Sequence, residues 1–429
     1  MKNRLIPIFL VITLLVNFHS VFAQHETEYP VYIIREGDSL GSIATLFDTT
    51  ITEILKINNI NNPDLISPGQ IINIPGYSGI SGIFEIVTPQ LGESLFSLSI
   101  KYGVNVDQII QLNHLLSPTS VYPGSTLIVA VRPNNSLLLP VSITRQNETG
   151  IESAARSFKN LSTLSLLNQI QNVNFCFVDQ IIFSVNSENS RAINLFAPLL
   201  EEVSLDPLPM VQGSTEVVSV SSQSPLLLQG SIGDHELIFN SESPNHYYAL
   251  QGIHALAEPG LVDFNLNVTL ADGTEHSYRQ MVLLQPGFFD QDPPLLVDPK
   301  TLDPTITEPE NELVFSLVSQ KTPFKYWSGI FSSPAVYQEY NSLFGTRRWY
   351  NDDPEVRFHG GVDFAGGMTL PVSAPAPGLI VFAGPLTVRG NAVFIDHGWG
   401  VFSGFFHQDT LKVKLGDRVN TGDVIGTVG

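Results

Sequence analysis

Residues 358–364 read Phe-His-Gly-Gly-Val-Asp-Phe, placing a histidine and an aspartate four positions apart across a glycine pair. In an extended segment successive side chains alternate, so positions i and i+4 project from one face. A helix would also bring them together, but Gly360 and Gly361 are costly inside a helix. The spacing therefore predicts a strand or the loop leading into one, with His359 and Asp363 able to reach one metal ion. An imidazole nitrogen and a carboxylate oxygen suit zinc, whose catalytic sites take three protein ligands and keep one position for water. Two ligands are visible, and a third is owed.

The elements that must hold this pair follow in a fixed order. Phe344-Gly345-Thr346-Arg347-Arg348 precedes it. Pro371-Val372, Ala374-Pro375-Ala376-Pro377-Gly378, Asp396-His397-Gly398, Phe405-Phe406-His407 and the turns Gly416-Asp417 and Gly422-Asp423 come after. This order resembles the lysostaphin-type M23 metallopeptidases, over residues 329–429. The resemblance implies a β-rich peptidase domain in which His359 and Asp363 bind Zn2+ and His407 is catalytic, with Phe405 where the family has Tyr. It also implies a later His-x-His carrying the third ligand and a second catalytic histidine. The sequence ends at Gly429 ahead of that motif, and truncation of a longer protein is the expectation. His397, in a turn-like Asp-His-Gly, reads as serving the fold. Arg347 and Arg348 either contact substrate or position their loop.

The first half of the chain repeats itself. Gly37-Asp38-Ser39-Leu40 returns as Gly92-Glu93-Ser94-Leu95, Asn58 as Asn113, and Pro68-Gly69 as Pro123-Gly124, all offset by 55 residues. Repeats at a fixed period mark stacked supersecondary units. Each copy predicts a strand, two short helices and a strand. Asp38 or Ser39 caps a helix whose Leu40, Ile43, Ala44 and Phe47 follow the helical period. These βααβ units, 31–76 and 84–131, resemble the LysM domain, which implies binding to N-acetylglucosamine-containing glycans, chiefly peptidoglycan. No single side chain in them is assigned to glycan contact. A third step of 55 lands on Asn147-Glu148-Thr149-Gly150 and Asn168, predicting a degenerate copy over 141–186.

Between the repeats and the peptidase-like end, residues 186–209 read as a linker. Short alternating runs over 210–289, separated by Pro259-Gly260 and Asp272-Gly273, predict a β-sandwich. His235, His246, His254 and His276 are scattered through it as packing or surface residues. Asp290 to Asp303 reads as an exposed connector. Thr307 and Glu310 form a candidate capping box for a short helix through Ser319 that precedes the last domain, within a 290–328 linker.

Several function classes are excluded by composition. The formal charge of −20 argues against nucleic acid, since phosphate binding needs a basic surface. A single cysteine, Cys176, allows no internal disulfide. Lys2 and Arg4 precede the apolar run Leu5 to Val16, and Val21-Phe22-Ala23 fits a signal-peptidase site, so residues 1–23 read as an export signal. No other stretch is long and apolar enough to span a membrane. The expectation is a multidomain α+β/β protein, secreted or periplasmic and wall-associated, acting as a zinc metalloendopeptidase on peptidoglycan peptides. The alternative is a non-catalytic regulator that binds peptidoglycan and activates other wall hydrolases.

Overall fold

The structure, a computed structural model, describes residues 29–117, 119–132, 138–145, 147–156, 160–170, 172–174, 180–185, 193–337, 339–351 and 353–429. The expected export signal and Cys176 lie outside the described residues. The chain divides into two compact units, residues 1–84 and 85–429.

The first unit is built on the βααβ order. Strands Val31–Ile33 and Ile71–Asn73 pair antiparallel, and helices Leu40–Leu46 and Ile51–Asn58 run between them. Ser39 and Thr50 cap the helices, each in a reciprocal box with the residue three positions on. Tyr32, Leu40, Ile43, Phe47, Ile54 and Ile72 are buried, matching the apolar period.

The next copy, whose first strand straddles the boundary, has strand Ile83–Val87, helices Leu95–Tyr102 and Val106–Leu112, and strand Leu127–Val131. The same order returns in strand Leu138–Ile143, helices Gly150–Arg156 and Leu161–Leu167, and strand Ile181–Val185. One side chain marks all three copies. Asn58 donates to the Ile54 and Asn73 carbonyls and accepts from the Asn73 amide. Asn113 does the same with Ile109 and Ile128, and Asn168 with Leu164 and Phe183. Each asparagine thereby pins the end of the second helix to the last strand through both polar atoms of its amide, half-buried at Asn58 and Asn113 and buried at Asn168.

A two-sheet sandwich follows. One sheet has five strands, in the order His235–Glu236, Leu227–Ile232, Gly260–Thr269, Glu275–Gln285, Met210–Val211. The other has four: Asn240–Ser243, His246–Gly252, Thr215–Ser221, Glu202–Asp206. Val218, Val220, Ala249, Phe264, Leu266 and Val282 from the two inner faces fill its core. The stretch read as a linker therefore needs correction. It contains the strand Glu202–Asp206, and Phe196, Ala197 and Leu200 are buried in the sandwich core.

The predicted start of the next helix is also corrected. Helix Pro304–Val318 begins earlier than Thr307, because Asp303 accepts from the Thr305 amide and Pro304 occupies the first helical position. Glu310 does not close a capping box; it turns instead into the peptidase-like domain. That domain is a six-stranded antiparallel sheet in the order Pro371–Ser373, Val424–Val428, Val401–Leu411, Gly390–Gly398, Gly378–Leu386, Arg418–Val419. Ile380, Val393, Ile395, Val419 and Ile425 form its core. The segment from Thr322 to Trp327 lies across the Gly398–Gly400 turn of this sheet. The Trp399 amide donates to the Thr322 carbonyl, the Tyr326 amide to the His397 carbonyl, and the Thr322 hydroxyl bonds Asp396 at 2.5 Å. Lys325 then reaches the sandwich, pairing with Glu242 and lying over the rings of Trp327 and Trp399.

Candidate metal centre and its surroundings

Two small ladders set His359 and Asp363. Arg347–Arg348 pairs antiparallel with Arg357–Phe358, and the ladder runs on as the His359 amide donates to the Thr346 carbonyl and the Gly345 amide to the His359 carbonyl. After the glycine pair, Asp363–Phe364 pairs with Tyr340–Ser342. Strand, glycine loop and strand bring the two side chains together: His359 Nε2 lies 3.1 Å from Asp363 Oδ1. The other ring nitrogen, Nδ1, lies 3.1 Å from the Leu343 carbonyl, to which it donates, so that Nε2 is the nitrogen that faces the carboxylate.

This donor set fits zinc. Two ligands at ~2.0–2.1 Å on a tetrahedral ion stand roughly 3.3 Å apart. A backbone carbonyl on the far ring nitrogen is also the usual support for a metal-bound histidine. His359 is largely buried while the Asp363 side chain is about half exposed, so the pair opens to solvent on the carboxylate side. Among the described residues no group of three or more His, Cys, Asp or Glu side chains is placed to hold a metal.

His407 stands apart from this pair as a ligand. In strand Val401–Leu411 the register against Gly390–Gly398 shifts between Phe405 and Gln408, inserting one extra residue. His407 occupies this bulge with φ +54°, a left-handed conformation that few side-chain-bearing residues adopt. Bulges re-aim side chains beside sites, and here the exposed imidazole is turned out of the ladder. Its backbone remains paired, the amide to the Arg389 carbonyl and the carbonyl to the Gly429 amide, each at 2.9 Å. Gly390 lies beneath the ring, and a Cβ there would come within 3.6 Å of His407 Nδ1.

Glu310 fixes the turn that carries Arg389. It is buried, accepts from the Val388 amide at 2.8 Å, and pairs with Arg389 Nη1 at 2.6 Å. Burial alone would raise its pKa, but the Val388 amide and the Arg389 guanidinium outweigh that and hold it below the usual carboxylate value.

His397 serves the interior of the sheet. It is fully buried, Nδ1–H donates to the Pro377 carbonyl at 2.8 Å, and Nε2 accepts from the Ser403 hydroxyl at 2.9 Å. Burial depresses its pKa below the ordinary value. The two arginines separate. Arg347 donates to the Ala255 carbonyl and lies over the Phe289 ring, while the His254 ring meets Phe358 edge-on, so sandwich loops pack beside the candidate centre. Arg348 pairs with Asp292 at 3.0 Å and approaches Asp363 Oδ2 at 3.5 Å. Neither this arginine bridge nor the Glu310 tie left a local pattern in the sequence.

Repeated small modules thus stand ahead of a β-sheet domain that carries a histidine–carboxylate pair. Residues 357–429 match the model of peptidase family M23, and residues 32–75 and 90–130 match that of the LysM domain. The chain carries two LysM domains and a C-terminal M23 domain. It is 39% identical over 108 residues to N-acetylmuramoyl-L-alanine amidase sle1 of Staphylococcus epidermidis, covering 23% of this chain and 33% of that protein. Against the sle1 amidase of a bovine Staphylococcus aureus strain it is 30% identical over 145 residues, covering 31% of this chain and 42% of that protein. The chain thus spans about a third of the first and two-fifths of the second of these curated relatives. A zinc containing peptidase from Vibrio cholerae overlays with a TM-score of 0.23 at 14% identity, over 93% of this chain and 90% of that one.

Proposed function

We propose that this protein is an exported zinc metalloendopeptidase that hydrolyses peptide bonds of peptidoglycan, held at the wall by its LysM domains. The observation that carries the reading is the His359 Nε2–Asp363 Oδ1 approach of 3.1 Å, with Nδ1 tied to a backbone carbonyl. His359 and Asp363 would hold the ion. Zinc, when bound, acidifies water toward ~7 and polarises an amide carbonyl as a Lewis acid. His407, exposed on its bulge, orients the attacking water or passes a proton to the leaving amine. The LysM domains raise the local concentration of wall substrate by tethering. The staphylococcal relatives are named for cleavage of a wall amide, which supports the same substrate class. Among the described residues no helix is long and apolar enough to cross a membrane.

The second reading is a non-catalytic regulator that binds peptidoglycan and activates other wall hydrolases. Zinc content of the native protein, measured alongside release of soluble peptides from purified peptidoglycan, decides between them. One zinc per chain with peptide release supports the peptidase. A metal-free protein that releases nothing, yet stimulates a second hydrolase, supports the activator.

A further inference from the structure

The first two repeats share a fold but present different surfaces. Both turn the chain at a glycine after the first strand, Gly37 or Gly92, and at another before the last, Gly69 or Gly124. In the first copy a Cβ on Gly37 or Gly69 would meet nothing within 4 Å. In the second, a Cβ on Gly92 would collide with the backbone between Leu195 and Phe196, and one on Gly124 would come within 2.8 Å of Pro209 Cα. The Gly92 amide donates to the Gln280 side chain at 2.7 Å, and the Leu283 amide to the Pro123 carbonyl at 3.0 Å. Both turns of the second copy are therefore seated on the sandwich.

Residue differences at the 55-residue offset follow this division. Exposed Glu36 becomes Leu91, which is buried in the sandwich core. In the opposite sense Ile33, Leu65 and Ile71, exposed by 39%, 73% and 64%, become Thr88, Ser120 and Thr126. Ile33 and Ile71 are cross-strand partners, and the Gly69 amide donates to the Ile34 carbonyl at 2.8 Å, so the first copy holds its turns together as one face. It shows apolar surface where the second copy is polar, and a charge where the second copy inserts a leucine.

We infer that the two copies have divided their labour: the turn face of the second grips the sandwich as an internal brace, and the turn face of the first takes up the wall glycan. This rests on the wall-binding reading above. Charge selects the occupant. A chain of formal charge −20 repels polyanions, whereas an uncharged amino-sugar chain lays its apolar C–H faces on Ile33, Leu65 and Ile71 and its polar groups beside Arg35 and Glu36.

The test is co-sedimentation of the full chain with insoluble peptidoglycan. Giving the first copy the residues of the second, I33T/L65S/I71T, should lower retention by about tenfold, the scale expected when a ligand loses contact with two or three apolar side chains. S120D/T126D should leave it within about twofold, since surface changes outside a contact cost little. Equal losses in both variants, or none in the first, overturn the division. A wild-type chain that does not sediment removes the wall-binding reading and the glycan half with it. The brace is decided separately by hydrogen exchange. L91E should speed exchange of the Leu283 amide by roughly tenfold or more through loss of a buried leucine, and E36L should not. Unchanged exchange in L91E overturns the brace.

Discussion

Arg389 links a helix to a strand bulge: its Nη1 lies 2.6 Å from the buried Glu310 carboxylate, and its carbonyl accepts the amide of His407 at 2.9 Å. The helix Pro304–Val318 thus bears, through one residue, on the backbone that presents the candidate catalytic histidine. Glu310→Ala should cost about 3 kcal/mol in urea unfolding, because it strands a half-buried guanidinium and the Val388 amide. It should also raise hydrogen exchange at the His407 amide. Glu308→Ala, on the exposed side of the same helix, should stay within about 0.5 kcal/mol. Equal effects of the two would sink the linkage.

Glu216 gives the sandwich an opposite dependence on pH. Its side chain is fully buried, Oε1 accepts from the Ser214 hydroxyl at 2.7 Å, and Oε2 has no partner among the described residues. Burial pushes its pKa up to about 7. Because the folded value lies above the unfolded one, its contribution is full below the ordinary carboxylate value and fades as pH rises toward 7. The change is on the order of 3 kcal/mol across that window. Glu216→Gln should flatten this part of the melting profile and stabilise the protein at pH 8. Parallel profiles for wild type and variant between about pH 5 and 8 would refute the assignment.

His397 works in the other direction. It is buried neutral with both nitrogens bonded, and its folded pKa is depressed by burial. Its contribution is full above the ordinary histidine value of about 6.5 and is lost as pH falls from there toward the folded value. In NMR its ring should titrate below the free-histidine midpoint. A midpoint at or above that value would contradict the buried neutral state.

Metal binding and proton transfer should separate by substitution. In the native protein, His359→Ala should lose zinc on dialysis, while His407→Gln should keep it and lose peptide release by about 100-fold or more, the usual scale for a general acid–base group. Loss of zinc in both variants would place His407 among the ligands.

The sequence showed most where a local period or spacing was enough. Residues 55 apart marked the repeats, alternation marked the sandwich strands, and the His359–Asp363 spacing marked the pair. Hidden features depended on distant partners or on competing local signals. Thr307 and Glu310 match a capping box, yet Asp303 with Pro304 starts the helix first, and Glu310 finds its partner 79 residues away. The strand Glu202–Asp206 was masked by Pro207 and Pro209 just beyond it, and its pairing with Thr215–Ser221 is what draws it into the sheet. Leu91 looked like one variable position in a repeat. Its role emerges only from the sandwich that covers it.

The stretch from Thr322 to Trp327, which looked like a spacer, holds Asp396, His397 and Trp399 on one side and Glu242 on the other. A recombination breakpoint placed there would tear a hydroxyl from Asp396 and bare the rim of the sheet. Sandwich, helix and peptidase sheet are thus fitted to pass between genes as a single cassette.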